Sequence, residues 1–220
     1  MTKLAHSYSA LKLYENCPLR YYRQRIKKDV VDQGGPASIA GQRIHEQLEE
    51  RLRSGAELPD ETRENEWAVK IIESKPNWTV HPEQEMTLNK KLRPTGWWDA
   101  DAWFRGKIDV LMLNEPKTKA IVLDWKTGKR RPDLFQMEIF AAMVFAHYES
   151  VTHVETALVW LKDRTLDRLS VTREELPHIW AEIMKKIVRI EASLDKDKWP
   201  AKPSGLCPYC PARPTCKYAY

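Results

Sequence analysis

The chain has 220 residues, 30% of them charged, and 36 Lys and Arg against 31 Asp and Glu leave a net charge of +5. A chain of this length buries roughly 70–75% of its unfolded surface, so it folds as one large domain, or a domain with a small lobe, without needing disulfides. The mild basicity permits a polyanionic partner without establishing one, and no apolar run reaches the ~20 residues of a membrane span.

The N-terminus, Met1-Thr2-Lys3-Leu4-Ala5-His6, has no apolar core of a secretory signal, so a cytoplasmic protein with four reduced cysteines and no membrane partner is expected. Ser7 to Asn16 reads as a short helix capped by Ser7 or Ser9, and Leu19 to Ile26 as a second helix rich in Arg and Tyr. Gln33-Gly34-Gly35-Pro36 breaks the chain. Ser38 to Arg53 carries Ile39, Ile44, Leu48 and Leu52 near helical period, and Glu61 to Glu73 follows as a further helix. Glu83 to Leu88 reads as a strand. A long connection with Trp97, Trp98 and Trp103 comes next; these rings are able to stack on bases, but core packing or a strand edge is the expectation for each.

Lys107 to Leu113 and Ala120 to Trp125 are strands about the turn signal Asn114-Glu115-Pro116-Lys117. Asp133 to Tyr148 is a helix with Leu134, Met137, Phe140, Ala141 and Val144 on its apolar face. Val154 to Leu161 and Leu166 to Val171 form a hairpin, Thr172 to Leu194 is a long amphipathic helix, and the tail from Lys198 is rich in Pro and Cys. The order implies a mixed α/β fold, helices around a small central sheet.

Two strands carry charge where a central strand would be apolar. Asp109 lies between Ile108 and Val110, and Asp124 follows Ile121-Val122-Leu123. In a strand, positions i and i+2 share a face, so Asp124 and Lys126 point one way and Trp125 the other. If the Asp109 strand lies alongside, two carboxylates and an ammonium converge, which is costly unless they are paired or hold a metal. Carboxylate oxygens suit Mg²⁺ or Mn²⁺.

Gly106-Lys107-Ile108-Asp109 followed by Asp124-Trp125-Lys126-Thr127-Gly128 resembles motifs II and III of the PD-(D/E)XK nucleases in their RecB-like branch. Gly41-Gln42-Arg43-Ile44-His45 resembles that branch's metal-binding histidine helix, and Gln136 to Phe140 its Gln-x-x-x-Tyr motif with Phe140 in place of tyrosine. The resemblance implies a restriction-endonuclease-like core. It implies Asp109, Asp124, His45 and the Trp125 backbone carbonyl as ligands of Mg²⁺ or Mn²⁺, with Lys126 and Gln136 as further catalytic residues. Glu85, on the preceding strand, is a candidate outer carboxylate. A helical lobe over residues 1–78 carrying Cys17 and His45, a nuclease core over 79–197 and a cysteine tail over 198–220 are expected to form one integrated domain.

Cys17 stands near the N-terminus, and Cys207, Cys210 and Cys216 form C-x₂-C-x₅-C in the tail. Four thiolates gathered this way fit tetrahedral zinc or a [4Fe–4S] cluster. One cysteine ahead of the core and three behind it resembles the iron–sulfur arrangement of AddB-type helicase–nucleases and CRISPR-associated adaptation nucleases. That resemblance implies the cluster, tying residue 17 to the tail.

Arg20 and Tyr22 belong to a run that interleaves basic and aromatic groups, and Lys129, Arg130 and Arg131 follow the second motif directly; both sets suit phosphate contact and base stacking. The chain has no Gly-x-x-x-x-Gly-Lys-[Ser/Thr] phosphate loop, so no ATP motor of its own is expected. The resemblance implies a metal-dependent deoxyribonuclease, an exonuclease on single-stranded DNA ends in recombination, repair or phage DNA processing. The host cytoplasm is its expected place if it is phage-encoded. The alternative is a non-catalytic or CRISPR-adaptation DNA-binding module with a protein partner.

Overall fold

In the computed structural model, which describes residues 4–219, five strands form one mixed sheet in the order β1-β2-β3-β4-β5. They are β1 (Trp78–Leu88), β2 (Phe104–Asn114), β3 (Lys119–Lys126), β4 (His153–Trp160) and β5 (Thr165–Thr172). All neighbours are antiparallel except β3 and β4, which run parallel. A parallel pair needs a crossover connection, and α5 (Leu134–His147) supplies it. The remaining helices are α1 (Tyr8–Asn16), α2 (Pro18–Tyr21), α3 (Pro36–Ser54), α4 (Glu66–Glu73) and α6 (Leu176–Asp195).

Several boundaries differ from the sequence expectation for local reasons. β1 starts at Trp78, five residues before Glu83, and Pro82 pairs opposite Val110. Proline hides a strand from sequence reading, but an edge strand tolerates it, and β1 is an edge. The second helix is an α turn followed by a wider π turn, Tyr22–Ile26. A 3₁₀ turn, Arg63–Asn65, precedes α4. Another, Arg173–Glu175, precedes α6, where the Thr172 N–H donates to Glu175 Oε2 at 2.7 Å in a capping box.

The chain makes two compact units, one from Gly35 to Trp180 and the other from the segment up to Gly34 together with the segment from Ala181 onward. In the first, helices α3 and α4 cover one face of the sheet: Leu48, Ala68 and Ile72 pack with Val110, Leu123 and Trp125. Burying each of the Leu, Ile and Val side chains fully contributes roughly 1.5–3 kcal/mol. On the other face Met137 of α5 packs with Leu158 and Trp160. Trp103 is buried as expected, whereas Trp98 lies neither in the core nor in a strand and is 85% exposed.

In the second unit the Tyr14 hydroxyl meets Ser193 Oγ at 2.7 Å and donates to the Arg189 carbonyl at 3.0 Å, tying α1 to α6. Glu15 and Lys186 form an ion pair between the same helices. Trp199 stacks against Tyr21 and Tyr22, with ring centres 5.9 and 5.3 Å away.

Candidate active site

The β2–β3 ladder runs from Leu113 opposite Ala120 to Val110 opposite Leu123 and stops there. The next position along that register holds Asp109 and Asp124. The Trp125 N–H donates instead to Asp109 Oδ2 at 2.7 Å, so a side-chain carboxylate takes over where the ladder ends. β3 itself continues beside β4 as far as Lys126 opposite Trp160, which keeps Asp124 and Lys126 on a supported strand. The period-2 reading holds: Trp125 is buried in the α3–α4 core, while Asp124 and Lys126 meet on the other side of the strand.

Three side chains close a small network there. Lys126 Nζ lies 2.5 Å from Asp124 Oδ2 and donates to Gln136 Oε1 at 2.9 Å. Gln136 Nε2 donates to Asp124 Oδ1 at 3.0 Å. Gln136 reaches this spot because it stands in the first turn of α5, where Asp133 caps the helix by accepting from the Gln136 N–H at 3.3 Å. Helical side chains lean toward the N-terminus, so the amide points back at the end of β3.

Asp124 is almost wholly buried, and its Oδ2 has no aligned hydrogen-bond donor despite the nearby ammonium. Burial, and then the charge of Asp109, push its pKa up to about 6, with Lys126 and His45 partly offsetting them.

His45 and Glu83 complete the site. On α3, Ile44 and Leu48 belong to the core, and Gly41 stands one turn before His45. A Cβ at Gly41 would lie 2.6 Å from Thr127 Oγ1, so with Thr127 in its present rotamer glycine lets α3 come this close to the chain leaving β3. His45 Nδ1 sits 3.4 Å from Asp109 Oδ1. Burial pulls the imidazole pKa down, but its bond to Asp109 and the charges of Asp109, Asp124 and Glu83 outweigh that and raise it.

Ligand atoms of His45, Glu83 and Asp109 all lie within 4.8 Å of one another. Glu83 is the residue that sequence reasoning missed. Pairs at Pro82–Val110 and Gln84–Ile108 flank it, so it stands opposite Asp109 at an interruption of the ladder, with φ of +52°. A non-glycine residue held there costs on the order of 1–3 kcal/mol, and such strain gathers at functional sites. Glu83 is also ion-paired with Lys107. Glu85 lies exposed opposite Lys107, outside the His45–Glu83–Asp109 group. The strand's irregularity at Pro82 was the one signal in the sequence for this swap.

The converging donor set is carboxylate oxygen and imidazole nitrogen from His45, Glu83 and Asp109; Asp124 lies outside it, its Oδ2 paired with the Lys126 ammonium and its Oδ1 bonded to Gln136. That chemistry fits a hard divalent cation such as Mg²⁺ or Mn²⁺.

Gly106 belongs to the packing. A Cβ there would meet Met143 Sδ at 2.5 Å, so its absence lets α5 lie against β2. Phe140 is buried on the same helix. Of the basic candidates, Lys129 and Arg131 are exposed, while Arg130 pairs with Asp167, its Nε 3.0 Å from Oδ2. In the other unit, Arg20 pairs with Asp32 at 2.8 Å and Tyr22 stacks on Trp199.

Cys17, Cys207, Cys210 and Cys216 line one recess with Leu19 and Arg20, and all four thiols are free of disulfides. Short 3₁₀ turns, Cys207–Tyr209 and Arg213–Thr215, present the three tail cysteines. The Lys202 N–H points at Cys17 Sγ at 3.4 Å and the Ser204 N–H at Cys207 Sγ at 3.3 Å, donors that suit thiolate sulfur. Four thiols are the ligand chemistry of zinc or an iron–sulfur cluster, but among the described residues no three of these sulfurs lie within 4.8 Å of one another.

The fold is that of a nuclease class, as comparison with known proteins shows. Residues 5–217 match the family model of the PD-(D/E)XK nuclease superfamily, and the chain belongs to that superfamily. Among solved structures, one described as a "putative exonuclease" from Eubacterium rectale superposes with a TM-score of 0.57 at 14% identity, covering 98% of this chain and 90% of that one. The protein SSO0001 superposes with a TM-score of 0.51 at 16% identity, covering 100% and 90%. At these identities the likeness is one of fold. No curated protein sequence matches the chain.

Proposed function

We propose that the protein is a divalent-cation-dependent deoxyribonuclease that degrades single-stranded DNA from an end. The observation that carries this is the convergence of His45, Glu83 and Asp109 beside the Asp124–Lys126–Gln136 network. Asp109, Asp124, His45 and Glu83 would hold Mn²⁺ or Mg²⁺, with the Trp125 carbonyl as a further ligand. When bound, such an ion supplies Lewis acidity and lowers the pKa of coordinated water.

The chain's own residues do the remaining work. Lys126 Nζ, held between Asp124 and Gln136, places a fixed positive charge for the phosphate oxygens where negative charge develops. Gln136 locks the rotamers of both neighbours. Asp109 holds the Trp125 N–H, and through it the end of β3. The exposed Lys129 and Arg131 suit contact with the DNA backbone; Arg20, Tyr22 and Arg130 would have to exchange their present partners to join them.

The four cysteines would hold a [4Fe–4S] cluster in a structural role; the shared recess and the two N–H···S contacts support this, and the resemblance in cysteine placement chooses it over zinc. Recombination, repair or phage DNA processing is the proposed setting.

The test is cleavage by anaerobically purified protein with Mn²⁺ or Mg²⁺, on end-labelled linear and on circular single-stranded DNA, beside Asp124→Ala. Loss of linear DNA alone, abolished in the variant, supports the reading. Circles cut as fast as linear strands overturn its end dependence, and intact DNA with a fully loaded cysteine site overturns the nuclease. Iron and acid-labile sulfide, measured on the same sample, separate the cluster from zinc.

A further inference from the structure

The connection between β1 and β2 is built with more care than a linker requires. Asn89 closes a tight turn: its N–H donates to the Arg93 carbonyl at 2.9 Å, and its Oδ1 accepts from the N–H of Lys91 at 3.0 Å and of Arg93 at 3.2 Å. Leu92 inside it takes φ of +58°. A second turn follows, where Asp99 Oδ2 accepts from the Gly96 N–H at 2.7 Å and the Thr95 hydroxyl at 2.8 Å. A Cβ on Gly96 would come within 2.8 Å of that carboxylate, so the turn needs glycine. Both ends are sewn to β1, Thr95 N–H to the Thr87 carbonyl at 3.0 Å and Trp103 N–H to the Leu88 carbonyl at 2.9 Å.

This frame displays Trp98 at 85% exposure. Water surrounds an indole whose burial would otherwise be worth far more to the fold than its exposure. Beneath it lies Arg105, whose guanidinium carbon is 5.5 Å from the Trp98 ring centre and 5.4 Å from that of Trp97. The connection's two carboxylates are exposed but hydrogen-bonded within it, Asp99 as above and Asp101 by Asn89 Nδ2 at 3.2 Å, while the exposed Lys91 and Arg93 add basic groups beside Trp98.

The connection also leaves the sheet at a telling place. β2 runs antiparallel to β3, so its Phe104 end lies beside the end of β3 that carries Asp124 and Lys126. Five residue steps along the strand carry Phe104 to Asp109, about 17 Å at the usual rise.

Resting on the nuclease reading, we propose that this connection is a base-stacking platform that holds the substrate's single strand on its path to the site, Trp98 offering the π-face and Arg105 the charge. A single strand exposes the faces of its bases, and stacking on an aromatic is indifferent to their identity. The Arg–Trp pair adds a cation close to the phosphates without burying it.

The test measures anisotropy of a labelled oligothymidylate with the full chain, Ca²⁺ replacing Mn²⁺ and the strand checked to be intact. Wild type, Trp98→Ala and Trp98→Phe are compared, each also on an abasic strand of equal length. Trp98→Ala should weaken oligothymidylate binding about 5- to 150-fold, the worth of one base–aromatic stack. Trp98→Phe should stay within a few-fold of wild type, and all three should bind the abasic strand alike. Equal oligothymidylate binding by wild type and Trp98→Ala overturns the platform while leaving the nuclease standing, and would point to a protein as the ring's partner. An equal loss on the abasic strand overturns stacking as the cause. Absence of any binding by wild type overturns the nucleic-acid reading with it.

Discussion

Replacing Gln136 by leucine removes one group and strands two. Its amide donates to Asp124 Oδ1 at 3.0 Å and accepts from Lys126 Nζ at 2.9 Å, and the residue is only 8% exposed. Hydrogen bonds to charged partners are each worth about 1.5–3 kcal/mol, and removing one member of a buried pair leaves the other's desolvation cost in place. Lys126 is partly exposed and recovers some of its loss from water, so a destabilisation of about 2–4 kcal/mol is expected. For a chain of this length that lowers Tm by roughly 5–15 °C. Cleavage should fall about 10- to 100-fold, the usual effect of losing a residue that orients metal ligands. Thermal unfolding with chelator and a cleavage rate with saturating Mn²⁺ read the two effects separately. A Gln136→Leu protein that melts and cuts like wild type refutes the bridge; one that melts early but cuts at the normal rate reduces it to a structural tie.

Further outcomes follow from the same geometry. Asp124 has its folded pKa raised to about 6 from 3.8. The folded state therefore binds this proton more tightly, and Asp124's own contribution to stability is greatest below pH 3.8 and falls by about 3 kcal/mol as pH rises through 6. In chelator, Asp124→Asn should thus gain stability over wild type progressively from pH 4 to 7, and with Mn²⁺ restored it should lose cleavage; a constant stability difference across that range removes the buried-charge argument. Glu83→Gln should weaken Mn²⁺ binding, read by the rise of Tm with added metal, at least tenfold, whereas Glu85→Gln should leave it unchanged; the reverse order would restore Glu85 as the ligand. Gly41→Ala should cost about 1–3 kcal/mol through its clash with Thr127, and adding Thr127→Ala should recover most of it, since the close atom is the Thr127 hydroxyl. Two losses that simply add would show that the close approach is not the constraint.

The sequence by itself determined what rests on local periodicity. Alternation along Ile121 to Lys126 put Asp124 and Lys126 on one face and Trp125 on the other, and the structure has them so. Asp133 ahead of an apolar run marked the start of α5, which is enough to place Gln136 in its first turn. The family motifs lie in the same segments, which is why the core fold was legible.

Only the tertiary structure decided which distant residues meet. Glu83 joins His45 and Asp109 because β1 pairs with β2 in one register and is interrupted at one position, and a shift of that register by a single residue would turn another side chain to the site. The exposure of Trp98 was equally out of reach. A tryptophan beside another in a long connection reads as core, and only the hydrogen-bonded turns at Asn89 and Asp99 hold its ring in water. Short-range preferences act within a few residues along the chain, whereas register and exposure are settled by the packing of segments far apart in it.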